Sequence, residues 1–130
     1  MQRKPILCLD FDGVIHSYTS GWKGADVIPD PPVPGAMEFI TTAIDYFDVH
    51  IFSSRSNQLG GIVAMQKWLA KHLEHYHNEA PVDFLVISKT LIKWPTEKPP
   101  AMVTLDDRAI TFTGKWPTAA ELLEFKPWYK

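Results

Sequence analysis

Near its start, the chain has a short run of apolar residues that stops abruptly at acidic ones. Ile6 to Leu9 contains no charged or strongly polar side chain, and Asp10 and Asp12 follow directly. A continuous apolar run of this length is typical of a strand that is buried on both faces of a parallel sheet. The pattern therefore predicts a buried first strand with Asp10 at its carboxyl end.

Residues 14–34 lack the periodicity of a helix or a strand. They contain Gly21, Gly24 and a proline-rich tract from Pro29 to Pro34. Glycine and proline at this density favour turns and loops. We interpret this segment as a short flap or hairpin after the first strand.

Two amphipathic helices are predicted next, with a strand between them. From Gly35 to about Phe47, and again from about Leu59 to His75, apolar residues recur at three- and four-residue spacing. This is the spacing of the buried face of a helix. Val49 to Phe52 is predicted as the second strand, so the order is strand, helix, strand, helix.

The second half of the chain is predicted to supply more strands. Phe84–Ile87 and Met102–Leu105 are interpreted as the third and fourth strands, and Ile110–Phe112 as a fifth. Thr118, with Glu121 three residues later, has the pattern of a capping box at the start of a short terminal helix. This order predicts a Rossmann-like α/β fold, a doubly wound parallel sheet that binds ligands at the carboxyl ends of its strands.

The composition is that of an ordinary globular protein. The 130 residues, 45% hydrophobic and 22% charged, are enough for a single domain, residues 1–130. A net charge of -2 gives no signal for duplex nucleic acid or an anionic membrane. No apolar stretch approaches the roughly 20 residues that span a bilayer. With Cys8 as its single, buried cysteine, we expect a soluble protein of the reducing cytoplasm.

Polar residues follow three of the predicted strands: Asp10 and Asp12 the first, Ser53 the second, and Asp106 with Asp107 the fourth. Because parallel strands end at one edge of the sheet, these carboxylates would repel one another unless a cation joined them. Mg²⁺ prefers such oxygen ligands. Asp10 could attack phosphorus as a nucleophile, and Asp12 could act as general acid and base.

These residues resemble, in kind and in order, the four motifs of the haloacid dehalogenase (HAD) superfamily. Leu7 to Val14 is similar to the first motif, a hydrophobic strand followed by Asp-x-Asp-Gly. Val49 to Ser53 resembles the second motif, Lys98 the third, and Leu105 to Arg108 the fourth. The resemblance covers residues 6–112.

The resemblance implies a role for each matching residue. Asp10 would be the nucleophile and a metal ligand, and Asp12 the acid/base residue, with its backbone carbonyl on the metal. Ser53 and Lys98 would bind the transferring phosphoryl group. Neighbouring residues could take these last two roles, since Ser54 follows the first serine and two other lysines, Lys89 and Lys93, precede the fourth strand.

The acidic pair would complete the Mg²⁺ shell. Asp107 is favoured as the direct ligand, because in relatives with a comparable pair the second member commonly faces the metal. Asp106 would then orient Lys98 or a metal-bound water, with the reverse assignment as the alternative. Arg55 could reach the phosphate or the substrate, although an arginine in a loop is more often solvated.

Three flap residues are candidates for substrate selection. His16, Tyr18 and Trp22 follow the nucleophile closely and could lie over the phosphate site, where they would stack on a base or ring. The alternative is a hairpin that packs only on its own domain.

The chain leaves no room for the separate cap domain of many HAD members. An open site suits a phosphorylated small molecule or a nucleic-acid end, and the end of the chain resembles small phage and bacterial HAD proteins and the phosphatase half of polynucleotide kinases. We therefore predict a capless, Mg²⁺-dependent phosphatase that forms an aspartyl phosphate on Asp10. The alternatives are a phosphotransferase and a non-catalytic phosphate- or nucleic-acid-binding module, and the oligomeric state stays open.

Overall fold

The computed structural model describes residues 3–78 and 82–130. Its elements, in chain order, are β1 (Ile6–Leu9), α1 (Ala36–Ala43), β2 (Asp48–Ile51), α2 (Gly61–His77), α3 (Phe84–Thr90), β3 (Val103–Leu105) and α4 (Ala119–Leu123). The strands form a parallel sheet in the order β2-β1-β3. The fold is therefore α/β with a small parallel sheet, compatible with a Rossmann-like architecture. Among these residues, no helix combines the length and apolar character needed to cross a membrane.

The central strand, β1, lies in the hydrophobic core. Leu7, Cys8 and Leu9 are all buried, as the uninterrupted apolar run predicted. Leu9 is in register with Ile51 of β2 and with Leu105 of β3. All three strands therefore end at the same level, and the residues that follow them meet at one edge of the sheet.

The predicted strands and helices around β1 and β2 are confirmed with small shifts of their ends. The first helix ends at Ala43 rather than near Phe47, and the second runs from Gly61 to His77. The terminal helix is also present, since the Thr118 hydroxyl accepts the backbone N–H of Glu121 (3.1 Å).

The prediction of a strand at Phe84–Ile87 is wrong, because these residues form the first turn of α3. The Asp83 carboxylate accepts two backbone N–H groups of that turn (3.1 and 3.2 Å), which stabilises the start of a helix. The Ser88 hydroxyl then donates to the Gln66 carbonyl (3.0 Å), which joins α3 to α2. A run of four apolar residues is compatible with either element, and here the cap decides between them.

The predicted fifth strand, Ile110–Phe112, is not a strand in the structure either. The chain turns directly after β3, where the Asp106 carboxylate accepts the backbone N–H of Arg108 (2.9 Å). This turn takes the following residues away from the sheet, and Ile110 and Phe112 remain more than half exposed. Without a neighbouring strand, their apolar pattern does not produce pairing.

The flap, residues 14–34, is irregular as predicted, and Asp30 fastens it to the core. The buried Asp30 carboxylate accepts the amide of Ser20 (2.7 Å) and its hydroxyl. The Asp30 carbonyl accepts the Trp68 indole N–H from α2 (3.2 Å), and its amide donates to His16 Nε2 (3.1 Å). Asp30 thus links separate parts of the flap to each other and joins the flap to α2.

The Asp30 hydrogen bonds predict a pH-dependent effect of Ser20→Ala. Burial acts to raise the pKa of Asp30, but the hydrogen bonds from Ser20 outweigh it and lower this pKa. The ionised carboxylate therefore contributes stability above its unfolded-state pKa of about 3.9, and this contribution is lost as the pH falls through the lower native-state pKa. We expect Ser20→Ala to lower the free energy of unfolding by about 1–2 kcal/mol at pH 7. Urea unfolding should show a smaller loss at pH 2.5.

Ser17→Ala is the matched control from the same flap. The Ser17 hydroxyl is buried without a hydrogen-bond partner in the described structure, so its removal breaks no hydrogen bond and should not lower the free energy of unfolding. Equal losses in the two variants, or a Ser20→Ala loss that does not depend on pH, would contradict the assignment.

Candidate active site

A cavity of about 230 Å³ opens where the three strands end. Register alone brings together the residues that follow β1, β2 and β3, although they are far apart in the sequence. The lining comprises acidic, hydroxyl and aromatic side chains and one arginine: Asp10, Asp12, Tyr18, Ser53, Ser54, Asp106, Asp107, Arg108 and Tyr129.

Three carboxylates form a cluster in this cavity. Asp10, Asp106 and Asp107 each have an oxygen within 4.8 Å of the others, and in residues 3–78 and 82–130 they are the only such group of potential metal ligands. Burial, and next the hydrogen bond with the Asp107 carboxyl, raise the pKa of Asp10 to about 8. A divalent cation with a preference for oxygen, such as Mg²⁺, fits this donor set, because it would offset the repulsion between the carboxylates.

The pKa of Asp107 shifts in the opposite direction from that of Asp10. Burial acts to raise it, but hydrogen bonds from Asp10 and Tyr129 to the carboxylate outweigh burial and lower it. Asp107 is also the most buried of the three carboxylates, whereas Asp106 is exposed. The surroundings of Asp107 therefore favour its ionised form, whereas those of Asp10 favour the protonated form.

Asp12 lines the same cavity, and Arg55 and His16 form hydrogen bonds with its carboxylate. Arg55 donates through Nε to Oδ2 of Asp12 (2.9 Å) and through Nη2 to Oδ1 (3.1 Å). His16 Nδ1 lies 2.8 Å from the same Oδ1. Because His16 Nε2 accepts the Asp30 amide, Nδ1 carries the proton and donates to Asp12. These contacts fix the orientation of the Asp12 side chain beside the cavity.

Arg55, which the sequence predicted to bind phosphate or to be solvated, does neither. Its side chain is fully buried and does not line the cavity. Besides its bonds to Asp12, it donates through Nη1 to three flap carbonyls between Gly24 and Val27 (2.8–3.2 Å). The guanidinium carbon also lies 4.7 Å from the centre of the Trp22 ring. Each of the three guanidinium nitrogens thus donates to a protein acceptor, and this favours a structural role.

The three flap residues predicted to select the substrate occupy different places. His16 is fully buried beneath Asp12, so the structure contradicts its contact with a substrate. Trp22 is 44% exposed but packs on Arg55, outside the cavity lining. Tyr18 lines the cavity and has a φ of 62°, a backbone conformation that is uncommon outside glycine. Tyr18 is therefore the flap residue that retains the predicted position.

Both candidate serines line the cavity, one buried and one exposed. The buried Ser53 hydroxyl accepts the Arg55 amide (3.2 Å), and the Ser53 amide donates to the Ser56 hydroxyl (3.0 Å). Ser54 is exposed next to it. Both serines therefore lie at the cavity that follows β2.

Lys98 does not reach the cavity lining and is exposed. Burial and Asp10 raise the pKa of the Cys8 thiol, and the positive charge of Lys98 acts in the opposite direction. Neither alternative lysine lines the cavity: Lys89 is exposed in α3, and Lys93 bonds through its backbone to β2. The structure thus leaves the predicted lysine outside the carboxylate cluster.

Two residues with no role in the sequence-based prediction also line the cavity. Arg108 is 61% exposed, and its Nε lies 3.8 Å from Oδ2 of Asp107. The Tyr129 hydroxyl donates to the same oxygen (2.8 Å). Arg108 follows the acidic pair directly and could have been identified from that position, whereas no local pattern marks Tyr129.

Comparison with protein-family models, curated proteins and solved structures gives no match.

The Arg55–Asp12 pair predicts a large loss of stability in Arg55→Met. That substitution leaves the Asp12 carboxylate partly buried with only the His16 donor, and breaking such a pair from one side costs about 3–5 kcal/mol. Arg55→Lys should lose less, but a lysine cannot reproduce the paired hydrogen bonds. The free energy of unfolding from urea titrations measures both losses.

Two further variants test whether the Arg55–Asp12 ion pair causes these losses of stability. Asp12→Asn combined with Arg55→Met should cost less than the sum of the single losses, because neither charge is then left unpaired. Arg108→Met, in which the guanidinium is mostly exposed, should change stability by less than about 0.5 kcal/mol. Additive losses at residues 12 and 55 would show that the ion pair is not the cause.

Proposed function

We propose that the protein is a Mg²⁺-dependent phosphatase of the HAD type, which hydrolyses a phosphate monoester through an aspartyl phosphate on Asp10. The observation that supports it most directly is the meeting of Asp10, Ser53 and the Asp106–Asp107 pair in one cavity at the carboxyl edge of a parallel sheet. These residues come from three separate segments, in the order of the HAD motifs that the sequence resembles.

Asp10 is the proposed nucleophile. The Phe11 amide donates to Oδ1 of Asp10 (2.9 Å), which orients the carboxyl group. Asp10 would lose the proton that it shares with Asp107 when a cation binds, and its carboxylate would then be free for the attack. A bond forms between a carboxylate oxygen and phosphorus while the bond from phosphorus to the ester oxygen breaks. The covalent intermediate divides one difficult displacement into two easier ones.

Asp12 is the proposed acid/base residue. It would give a proton to the departing ester oxygen and then take one from the water that hydrolyses the aspartyl phosphate. Its side chain lies beside Asp10 in the cavity lining and is oriented by Arg55 and His16. Such fixed positioning supports proton transfer at a defined place.

Mg²⁺ would be held by Asp10, Asp107 and Asp106, with the Asp12 backbone carbonyl as a further ligand implied by the HAD resemblance. When bound, it would offset the negative charge of the phosphoryl oxygens. Ser53 accepts a hydrogen bond from the Arg55 amide, so its own hydroxyl proton is available to a phosphoryl oxygen.

Arg108 is the better placed cation for the role that the resemblance gives to Lys98. It lines the cavity, whereas Lys98 does not. A guanidinium can also form paired hydrogen bonds with a phosphate. We therefore propose that Arg108 supplies positive charge to the substrate in this protein.

The substrate is proposed to be a phosphorylated small molecule or nucleic-acid end that reaches an uncapped site. The cavity, about 230 Å³, is smaller than the roughly 300–1,000 Å³ of typical small-molecule sites. We therefore propose that the cavity takes the phosphoryl group and that a larger leaving group extends beyond it, with Tyr18 and Arg108 of the lining available for contact. We also propose that the protein is cytoplasmic, because the buried Cys8 has a free thiol.

Loss of activity in Asp10→Asn tests the proposed nucleophile. Purified protein with Mg²⁺ should release phosphate from para-nitrophenyl phosphate, and both removal of the metal with EDTA and Asp10→Asn should reduce this rate to background. Asp45→Asn, an exposed carboxylate in the turn after α1, is the matched control and should keep the wild-type rate. If the wild type hydrolyses no member of a broad panel of phosphate esters, the proposal of phosphatase activity is wrong.

The proposed acid/base role makes Asp12→Asn sensitive to the leaving group. Proton donation by a general acid matters more for an alkoxide leaving group than for nitrophenolate, because the alkoxide is the stronger base. We therefore expect Asp12→Asn to lower kcat/KM by about a hundredfold or more for an alkyl phosphate. The loss should be clearly smaller for para-nitrophenyl phosphate. Equal losses for the two substrates would speak against proton donation by Asp12.

A further inference from the structure

The segment from Pro127 to Lys130 returns to the candidate active site after a long exposed stretch. Every residue from Arg108 to Lys126 is exposed. The Trp128 indole N–H then donates to the carbonyl of Gly13 (2.8 Å), and the Tyr129 hydroxyl donates to Oδ2 of Asp107 (2.8 Å). Two consecutive residues thus bind Gly13, which follows β1, and Asp107, which follows β3.

The contact between this segment and the site is tight. A Cβ added to Gly13 would lie 2.5 Å from Oδ2 of Asp107 and 2.6 Å from Cε1 of Tyr129. Gly13 also has a φ of 82°, which favours glycine. Asp107 is therefore enclosed between the glycine of the first motif and the tyrosine ring, and only 8% of it is exposed.

The Tyr129 hydroxyl has a specific effect on Asp107. It occupies Oδ2, the oxygen that also lies 3.8 Å from Nε of Arg108. A donor at a fixed position prevents the carboxylate from rotating, and it supports the negative charge that a cation requires. Groups that bind a metal ligand in this way typically change metal affinity by about 10–100-fold when they are removed.

We propose that Trp128 and Tyr129 form a strap that holds the Asp107 carboxylate in the orientation required for Mg²⁺. Tyr129 is the positioning residue, since it contacts Asp107, and Trp128 acts through it by fastening the segment to Gly13. The inference rests on the proposed function, in which Asp107 is a metal ligand.

Tyr129→Phe tests the strap, because it removes the hydroxyl and keeps the ring that packs beside Gly13. Isothermal titration with Mg²⁺ should show a Kd about tenfold higher than that of the wild type. The thermal midpoint of the metal-free protein should change little, which separates positioning from a general loss of structure. At saturating Mg²⁺, the variant should recover the wild-type kcat.

A double-mutant cycle tests the dependence of Trp128 on Tyr129. Trp128→Phe removes the indole N–H and should also weaken Mg²⁺ binding, but it should add little in the Tyr129→Phe background. Matched controls are Tyr46→Phe and Trp116→Phe, which are 69% and 86% exposed and outside the cavity lining. Both controls should bind Mg²⁺ like the wild type.

The outcomes separate the strap from the phosphatase proposal. Unchanged Mg²⁺ affinity in Tyr129→Phe, with Mg²⁺ bound by the wild type, would overturn the strap alone. Mg²⁺ binding that depends on Tyr129, in a protein without phosphatase activity, would support the strap and overturn the proposed catalysis. Absence of Mg²⁺ binding by the wild type would overturn the strap and the metal requirement together.

Discussion

The buried pair of Arg55 and Asp12 is the contact on which the arrangement of the site depends. A buried guanidinium must direct its N–H groups to protein acceptors, because water cannot reach it. Arg55 finds these acceptors in Asp12 and in the flap carbonyls between Gly24 and Val27. The loop after β2, the loop after β1 and the flap are therefore held together by one side chain, at the place where the cavity opens.

The carboxylates at the sheet edge impose a second constraint, which acts against folding. Asp10 and Asp107 are close enough to share a hydrogen bond, and the pKa of Asp10 rises to about 8 because of burial and this neighbour. A fold selected only for stability would not place them together, since each charge raises the cost of the other. In the proposed metal site, a bound cation would relieve this conflict.

The parallel strands and the meeting of their ends at one edge could be predicted from the sequence, whereas the short helix α3 and two long-range side-chain contacts could not. The apolar run of β1 indicated both the buried strand and the place of Asp10, because strand ends and sheet edges follow from periodicity. Phe84–Ile87 was predicted as a strand because a short apolar run does not distinguish strand from helix. In the structure, the Asp83 side chain caps the helix α3 at this place. The burial of Arg55 and the contact of Tyr129 with Asp107 depend on chain folding across 43 and 22 residues, and no local pattern reports such distances.

Arg55 and Arg108 carry the same charge, but their different burial determines which of them can bind a ligand. The Arg55 guanidinium is fully buried, and each of its three nitrogens already donates to a protein acceptor, so it is not available to a phosphate at the cavity. Arg108 is 61% exposed at the same cavity, and its donors remain accessible to a ligand. In the proposed phosphatase, positive charge for an incoming phosphoryl group would therefore come from Arg108 and from a cation held by Asp10, Asp106 and Asp107. The buried Arg55 would add little to it.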